Sequence, residues 1–287
     1  MKKLTKLALL LTCGIACCWC NATDFRGLSP ESIYQKGEKL EADEKIAEAV
    51  QYYKKAAEKS YAPAQVKLGI MYYDGKYCNQ NYEEAVSWFK KAADQGYAEA
   101  QNILAMCYNK GIGIEKNQQE AFKWYKKAAD QGYAEAQNNL AVCYSEGTGV
   151  KQNPKEAVWW LKKAADQGLA AAQFHLGSFI ETGRGIEENQ NEAFKWYQKA
   201  ADQGFAYAQT ALAICYLDGI GTQQNYEEAF KWFKKAADQG LALAQKAVGD
   251  CYAIGRGVKK NRENAIMWYK EAAKNGNADA QRILLCY

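Results

Sequence analysis

Residues 98–133 read AEAQNILAMCYNKGIGIEKNQQEAFKWYKKAADQGY, and residues 134–169 read AEAQNNLAVCYSEGTGVKQNPKEAVWWLKKAADQGL. The second stretch repeats the first without insertion, so the unit is 36 residues long. The same period runs through most of the chain. Trp88, Trp124, Trp160, Trp196, Trp232 and Trp268 fall on it, as do Gln65, Gln101, Gln137, Gln173, Gln209, Gln245 and Gln281. Asn recurs from Asn81 through Asn117, Asn153, Asn189 and Asn225 to Asn261, and Gly from Gly75 through Gly111, Gly147, Gly183 and Gly219 to Gly255. A fixed period of this size marks an architecture in which each unit buries its apolar face only against its neighbours. Full units are expected at 62–97, 98–133, 134–169, 170–205, 206–241 and 242–277. A capping unit, 23–61, precedes them and a half-unit, 278–287, closes the chain.

Each unit reads as helix, turn, helix. Ala100, Leu104 and Tyr108 are spaced four apart and mark one face of a first helix. Gly111 and Gly113 end it, because a glycine just past a helix supplies a left-handed C-cap without steric cost. Asn117 is placed to N-cap a second helix, with Glu120 three residues on, the spacing of a capping box. In the next unit Pro154 follows Asn153, which suits the first helical position. Ala121, Trp124, Tyr125 and Ala128 make the apolar face of the second helix. Neither helix is long or apolar enough to stand alone. Stacking gives each pair neighbours on both sides, so the expected fold class is all-α, a right-handed α/α solenoid of helix-turn-helix repeats. Alanine pairs such as Ala128-Ala129 let helices approach closely, and the recurrent Trp fills space between units.

The first residues do not belong to this pattern. Lys2, Lys3 and Lys6 precede an uncharged apolar stretch, Leu7 to Trp19, and Cys20-Asn21-Ala22 ends in a small residue. Residues 1–22 therefore read as a signal peptide with the mature chain starting at Thr23, and the protein is expected to be exported, to a periplasm or beyond the cell. The apolar run is shorter than the roughly 20 residues that span a bilayer. Gly14-Ile15-Ala16-Cys17 offers a second route, an outer-membrane lipoprotein acylated at Cys17, and only that route implies a membrane partner. The full chain has 37 Lys+Arg against 33 Asp+Glu, a net charge of +4, and ten Cys. Without residues 1–22 the charge falls to +1 and six Cys remain. So small a charge argues against a nucleic-acid partner.

The pattern Leu104-x-x-x-Tyr108-x-x-Gly111-x-Gly113-Ile114, then Asn117, Ala121, Trp124-Tyr125 and Lys127-Ala128-Ala129, resembles the Sel1-like repeat, a relative of the tetratricopeptide repeat with a longer inter-helix loop. The resemblance covers residues 62–287. That family usually carries Asp where this chain has the Asn series. The first unit, Tyr34 to Ala49, lacks the Gly-x-Gly loop and is more similar to a plain tetratricopeptide hairpin. In the second unit Lys76-Tyr77 replaces the usual loop residues. The resemblance implies an adaptor that binds a protein or peptide.

Cys107, Cys143, Cys215 and Cys251 share one repeat position with Met71 and Phe179, which makes it a packing slot. Equivalent points on stacked helices lie around 10 Å apart, whereas a disulfide needs Cα atoms within about 7 Å. These four are expected to be free and buried. Cys78, in a loop, and Cys286, out of register, are the candidates for other behaviour. A secreted branch similar to this family, the Helicobacter-type cysteine-rich proteins, staples each unit with cysteines eight residues apart, at positions matching Ala129 and Gln137. Here the staple is absent. The recurrent Gln is expected to do a polar version of its work, its amide reaching loose carbonyls at the preceding turn.

That branch has been linked to penicillin binding and β-lactam hydrolysis, so a hydrolase or cell-wall binder is an alternative that the resemblance implies. A secreted host-interaction factor is another. The residues offer little chemistry. Ser87-Trp88-Phe89-Lys90 matches S-x-x-K, but S-D-N and K-T-G partners are missing. The Gly-x-Gly pairs follow no strand, so no nucleotide site is expected. One His leaves no multi-histidine metal centre, and no cofactor is expected. The informative contrast lies on the first helices, where some positions change from unit to unit while packing residues repeat. These are Asn102, Met106 and Asn109; Asn138, Val142 and Ser145; Phe174, His175, Ser178 and Glu181; Thr210, Ile214 and Leu217; Lys246 and Asp250. They are the expected partner-binding groove on the concave face.

Overall fold

The computed structural model describes residue 25 and residues 27–285. The basic and apolar leader, residues 1–22, and Cys286 lie outside the described residues. Among the described residues there are fifteen helices and no strand. Helices α1 (Pro30–Ala42) and α2 (Ile46–Glu58) form the first hairpin. The unit 62–97 holds α3 (Ala62–Asp74) and α4 (Tyr82–Asp94), and the unit 98–133 holds α5 (Ala98–Lys110) and α6 (Gln118–Asp130). Then come α7 (Ala134–Glu146) and α8 (Pro154–Asp166), α9 (Ala170–Glu181) and α10 (Gln190–Asp202), α11 (Ala206–Asp218) and α12 (Tyr226–Asp238), and α13 (Ala242–Ile254) and α14 (Arg262–Lys274). The last is α15 (Ala278–Leu284).

The chain divides into two compact bodies, one up to Gln80 and one from Asn81 onward. In the first, α1, α2 and α3 pack in sequence around Ile33, Ala49, Tyr53 and Met71. Its hairpin turns through Asp43, Glu44 and Lys45 without a Gly-x-Gly loop, and Glu44 takes a left-handed φ of 60°. Tyr53 donates a 2.6 Å hydrogen bond to Glu41, whose other oxygen is bridged by Lys67 at 3.1 Å. Burial raises the Glu41 carboxyl, but these two bonds and the Lys67 charge hold it below its ordinary value.

In the second body each helix packs on the next, from α4 through α15, a helical solenoid. One contiguous core runs from Ala105 to Cys251 through the alanine pairs, Leu140, Leu176 and Leu212. The loop between paired helices shows why its residues recur. Gly111 caps α5 with φ of 72° and its N–H donates to the Cys107 carbonyl. Gly113 has φ of 65°, and a Cβ there would fall on the Tyr82 carbonyl oxygen at the start of α4. The first glycine thus serves backbone geometry and the second also serves the close approach of the preceding unit.

Whereas α2 follows Lys45 with no side-chain cap, each second helix from α4 onward is N-capped by its Asn, as in Asn117 Oδ1 accepting from the Glu120 N–H at 3.0 Å. Such a cap contributes about 1 kcal/mol. The reciprocal half of the capping box is not made. The Asn117 N–H is already committed to the Tyr108 carbonyl at 2.9 Å, tying the loop to the end of α5. Glu120 turns to Lys123 instead, and its counterpart Glu84 accepts from the Trp88 indole at 3.0 Å.

The recurrent glutamines cross every unit boundary. Gln101 donates to the Ala93 carbonyl at 3.1 Å, Gln137 to Ala129 at 3.2 Å, and Gln173, Gln209 and Gln245 repeat the bond. All are buried. The opposite end of the amide is used as well. Gln131, at the end of α6, donates to Gln101 Oε1 at 2.7 Å, and Gln167 to Gln137 Oε1 at 2.7 Å. One side chain therefore joins three helices. Cys107, Cys143, Cys215 and Cys251 are free and buried, as their shared slot implies. Burial pushes these thiols up to about 11, and to about 12 at Cys215. Cys78 is free too, half-buried, with its thiol 3.5 Å from the Met71 carbonyl.

Candidate functional site

The repeated side chains on the second helices are occupied with one another. Lys91 sits 3.7 Å over the Trp88 ring, Lys127 the same over Trp124, and Lys235 the same over Trp232. The neighbouring Lys126 pairs with Asp130 at 2.8 Å. Ser87 and Lys90 both lie exposed on α4. Among the described residues no three His, Cys, Asp or Glu side chains gather as a metal would require, and no helix is long and apolar enough to cross a membrane.

The first-helix positions named from sequence fall into three groups. Asn102, Asn138, Ser145 and Thr210 are buried. Asn102 Oδ1 accepts from Asn139 at 2.9 Å, across the boundary between α5 and α7. Asn138 Oδ1 lies 2.8 Å from His175 Nδ1 on α9, so that nitrogen carries the proton. The Ser145 carbonyl receives Gln152 at 2.7 Å as well as Arg184 from the next loop. Thr210 donates to the Ala206 carbonyl. For Asn102 and Asn138 the variation reflects pairing with the neighbouring unit rather than an open surface.

A second group is tied within its unit. Glu181 accepts from Tyr197 at 2.7 Å, and Asp250 accepts from Tyr269 at 2.9 Å while bridging Lys246 at 2.8 Å. In both units the tyrosine ring lies on a glycine, Gly177 or Gly249, where a Cβ would come within 2.8 Å or 2.6 Å of the ring. Burial and the Glu181 contact push the Tyr197 phenol well up.

The third group is open. Asn109, Val142, Ser178 and Leu217 are half-buried, and Met106 and Ile214 are exposed. Phe174 is half-buried in an aromatic cluster, with ring centroids 5.6 Å from His175, 5.8 Å from Tyr197, 5.6 Å from Phe205 and 6.2 Å from Tyr207. Tyr207 is 56% exposed, and Leu243, its counterpart one unit on, is 54% exposed. Neither was among the positions picked from sequence. The signal was available, because the first-turn position reads Glu99, Glu135, Ala171, Tyr207 and Leu243.

The Sel1 repeat profile matches residues 27–61, 62–97, 98–133, 134–169, 170–205, 206–241 and 242–277, and the chain belongs to this family. The match counts the α1–α2 hairpin as a first repeat although it lacks the Gly-x-Gly loop. Among solved structures, a Sel1 repeat protein from Oxalobacter formigenes is 34% identical, with TM-score 0.76, over 84% of this chain and 96% of that one. The antigen c5321 of uropathogenic Escherichia coli, which displays an SLR fold, is 33% identical with TM-score 0.71. That alignment covers 90% of this chain, which spans 58% of the antigen. The immunity protein Pa5087 from Pseudomonas aeruginosa shares the fold at 22% identity and TM-score 0.52, over 76% of this chain and 83% of that one. No curated protein matches. The Sel1-repeat solenoid is typical of protein–protein interaction scaffolds.

Burial holds the His175 imidazole below its ordinary value. Its folded-state pKa is depressed, so its contribution is present above the unfolded value and is lost as pH falls through the folded one. Asn139 occupies the same position one unit earlier, so His175→Asn keeps an amide partner for Asn138 without titrating. The melting temperature of the wild type should drop more than that of His175→Asn between about pH 7.5 and about pH 5.5. Equal drops would contradict the assignment.

Proposed function

We propose that this chain is an exported, non-enzymatic scaffold that binds a protein or peptide along the face made by its first helices, the concave side of a solenoid. The observation that carries the reading is where exposed apolar surface remains after the repeated residues are accounted for. The Gln, Asn, Gly, Trp and Cys series are all consumed by contacts within and between repeats. Phe174, Tyr207, Ile214 and Leu243 leave an apolar surface on consecutive first helices. Apolar exposure gathered on neighbouring helices is a mark of interaction surfaces. Export rests on residues 1–22. It is supported by the 33% identical E. coli protein, described as a protective antigen, because such an antigen is met by an immune system.

Cross-linking capture from the cell envelope, with the wild type and with Phe174→Ala combined with Tyr207→Ala, tests the face. Trp159→Ala, on the second-helix side, serves as control. The double variant should lose a partner that the wild type and the control retain. Equal recovery from all three rejects the face. Export is tested by mass spectrometry of the mature chain, which should begin at Thr23; a lipid on Cys17 would place the scaffold on a membrane, and an intact Met1 would reject export.

A further inference from the structure

The first-helix face changes character along the array, and this chemistry narrows the partner. This rests on that face being the binding surface proposed above. On α5 and α7 the first-turn residues are Glu99 and Glu135. Neither carboxylate has a hydrogen-bond or ion-pair partner among the described residues. They hold equivalent first-turn positions on successive first helices, α5 and α7, and burial, then the charges of Glu135 and Glu99, push the phenol of Tyr133 up to about 12. Two units further the same row becomes apolar, with Tyr207 and Leu243 more than half exposed and Phe174 packed against Tyr207. Ile214 continues that surface along α11. The charged pair nearby, Lys246 and Asp250, is closed on itself. Side-chain contacts from Asn102 to Asn139, Asn138 to His175 and Phe174 to Tyr207 keep successive first helices side by side.

We infer that the partner presents a segment with a basic end and an apolar end: a Lys or Arg pair that docks at Glu99 and Glu135, and large apolar side chains that dock among Phe174, Tyr207, Ile214 and Leu243. Charge complementarity fixes the first half. An uncompensated pair of carboxylates attracts cationic side chains and repels acidic ones. The half-buried Tyr133, which precedes α7 two residues before Glu135, adds an aromatic ring for the cation. The apolar half supplies burial. The spacing follows from the repeat. From Glu135 to Tyr207 is two helix-packing intervals, about 20 Å, which an extended chain covers in about six residues.

The test is fluorescence anisotropy with a labelled synthetic peptide carrying a Lys pair and, about six residues further, Phe and Leu. A second peptide replaces the Lys pair with a Glu pair. The Lys peptide should bind, more weakly as salt rises, and the Glu peptide should bind about tenfold more weakly. Glu99→Lys with Glu135→Lys should reverse that preference, while Tyr207→Ala with Leu243→Ala should weaken both peptides. Far-UV circular dichroism and melting confirm that the variants fold, and the comparison of peptides on the wild type needs no variant. Equal binding of the two peptides, absence of binding by both, or a preference unmoved by the charge reversal overturns the inference. The binding-face reading would then still stand if the captured partner is lost from Phe174→Ala with Tyr207→Ala. Retention of that partner removes the face itself.

Discussion

The last carbonyl oxygens of a helix have no partner within that helix, and a stack of short helices must supply one at every end. In this chain a turn N–H and one buried side chain share the work: the Ala129 carbonyl accepts from the Gly132 N–H at 3.0 Å and from Gln137 across the boundary at 3.2 Å. The buried glutamine of each first helix from α5 to α13 donates to a carbonyl in the last turn of the preceding second helix, as Gln137 does to Ala129. Its own oxygen then accepts from the end of the second helix in its own unit, as Gln137 does from Gln167. A leucine of similar size would fill the same space and leave both contacts unmade. Each net hydrogen bond contributes about 1 kcal/mol, and the Ala129 carbonyl keeps its bond from the Gly132 N–H when the amide is lost. The amide also fixes orientation, because both of its ends are spoken for.

Much else follows from that fixed geometry. With each boundary set, the loop can press Gly113 against the backbone at Tyr82, where no side chain fits. Alanine pairs sit in close contact, and cysteine can occupy a core slot without finding another cysteine. The face of the first helices is then free to vary. It varies in pairs. Asn102 meets Asn139, Asn138 meets His175, Phe174 meets Tyr207, and Glu181 appears where Gly177 admits Tyr197. Part of the diversity that separates one repeat from the next is therefore mutual accommodation, and the remainder is exposed chemistry.

This is also the boundary of what the sequence discloses. Helix positions, the Asn caps, the free thiols and the acceptor of the Gln amide are legible because each recurs at a constant period with a residue type suited to one job. The return half of the capping box is not legible. Whether the Asn117 N–H is available depends on the path of the loop back to Tyr108, which no local spacing specifies. Nor is burial of Asn102 and Asn138 legible from variability alone. A pattern of polar residues 37 apart, in Asn102 with Asn139 and in Asn138 with His175, carries that information, and comparing equivalent positions 36 apart passes over it. Tyr207 and Leu243 were overlooked for a similar reason: their row lies one turn before the positions that vary most visibly.

The central claim is that the buried glutamine holds adjacent repeats together, and urea denaturation of Gln137→Leu, Gln167→Leu and the double variant tests it most directly. Gln137→Leu should lower the unfolding free energy by about 1–3 kcal/mol. Gln167→Leu should cost less, because its amide is at the surface. The double variant should cost no more than Gln137→Leu alone, since the two side chains share one contact. Stability unchanged in Gln137→Leu would contradict the account.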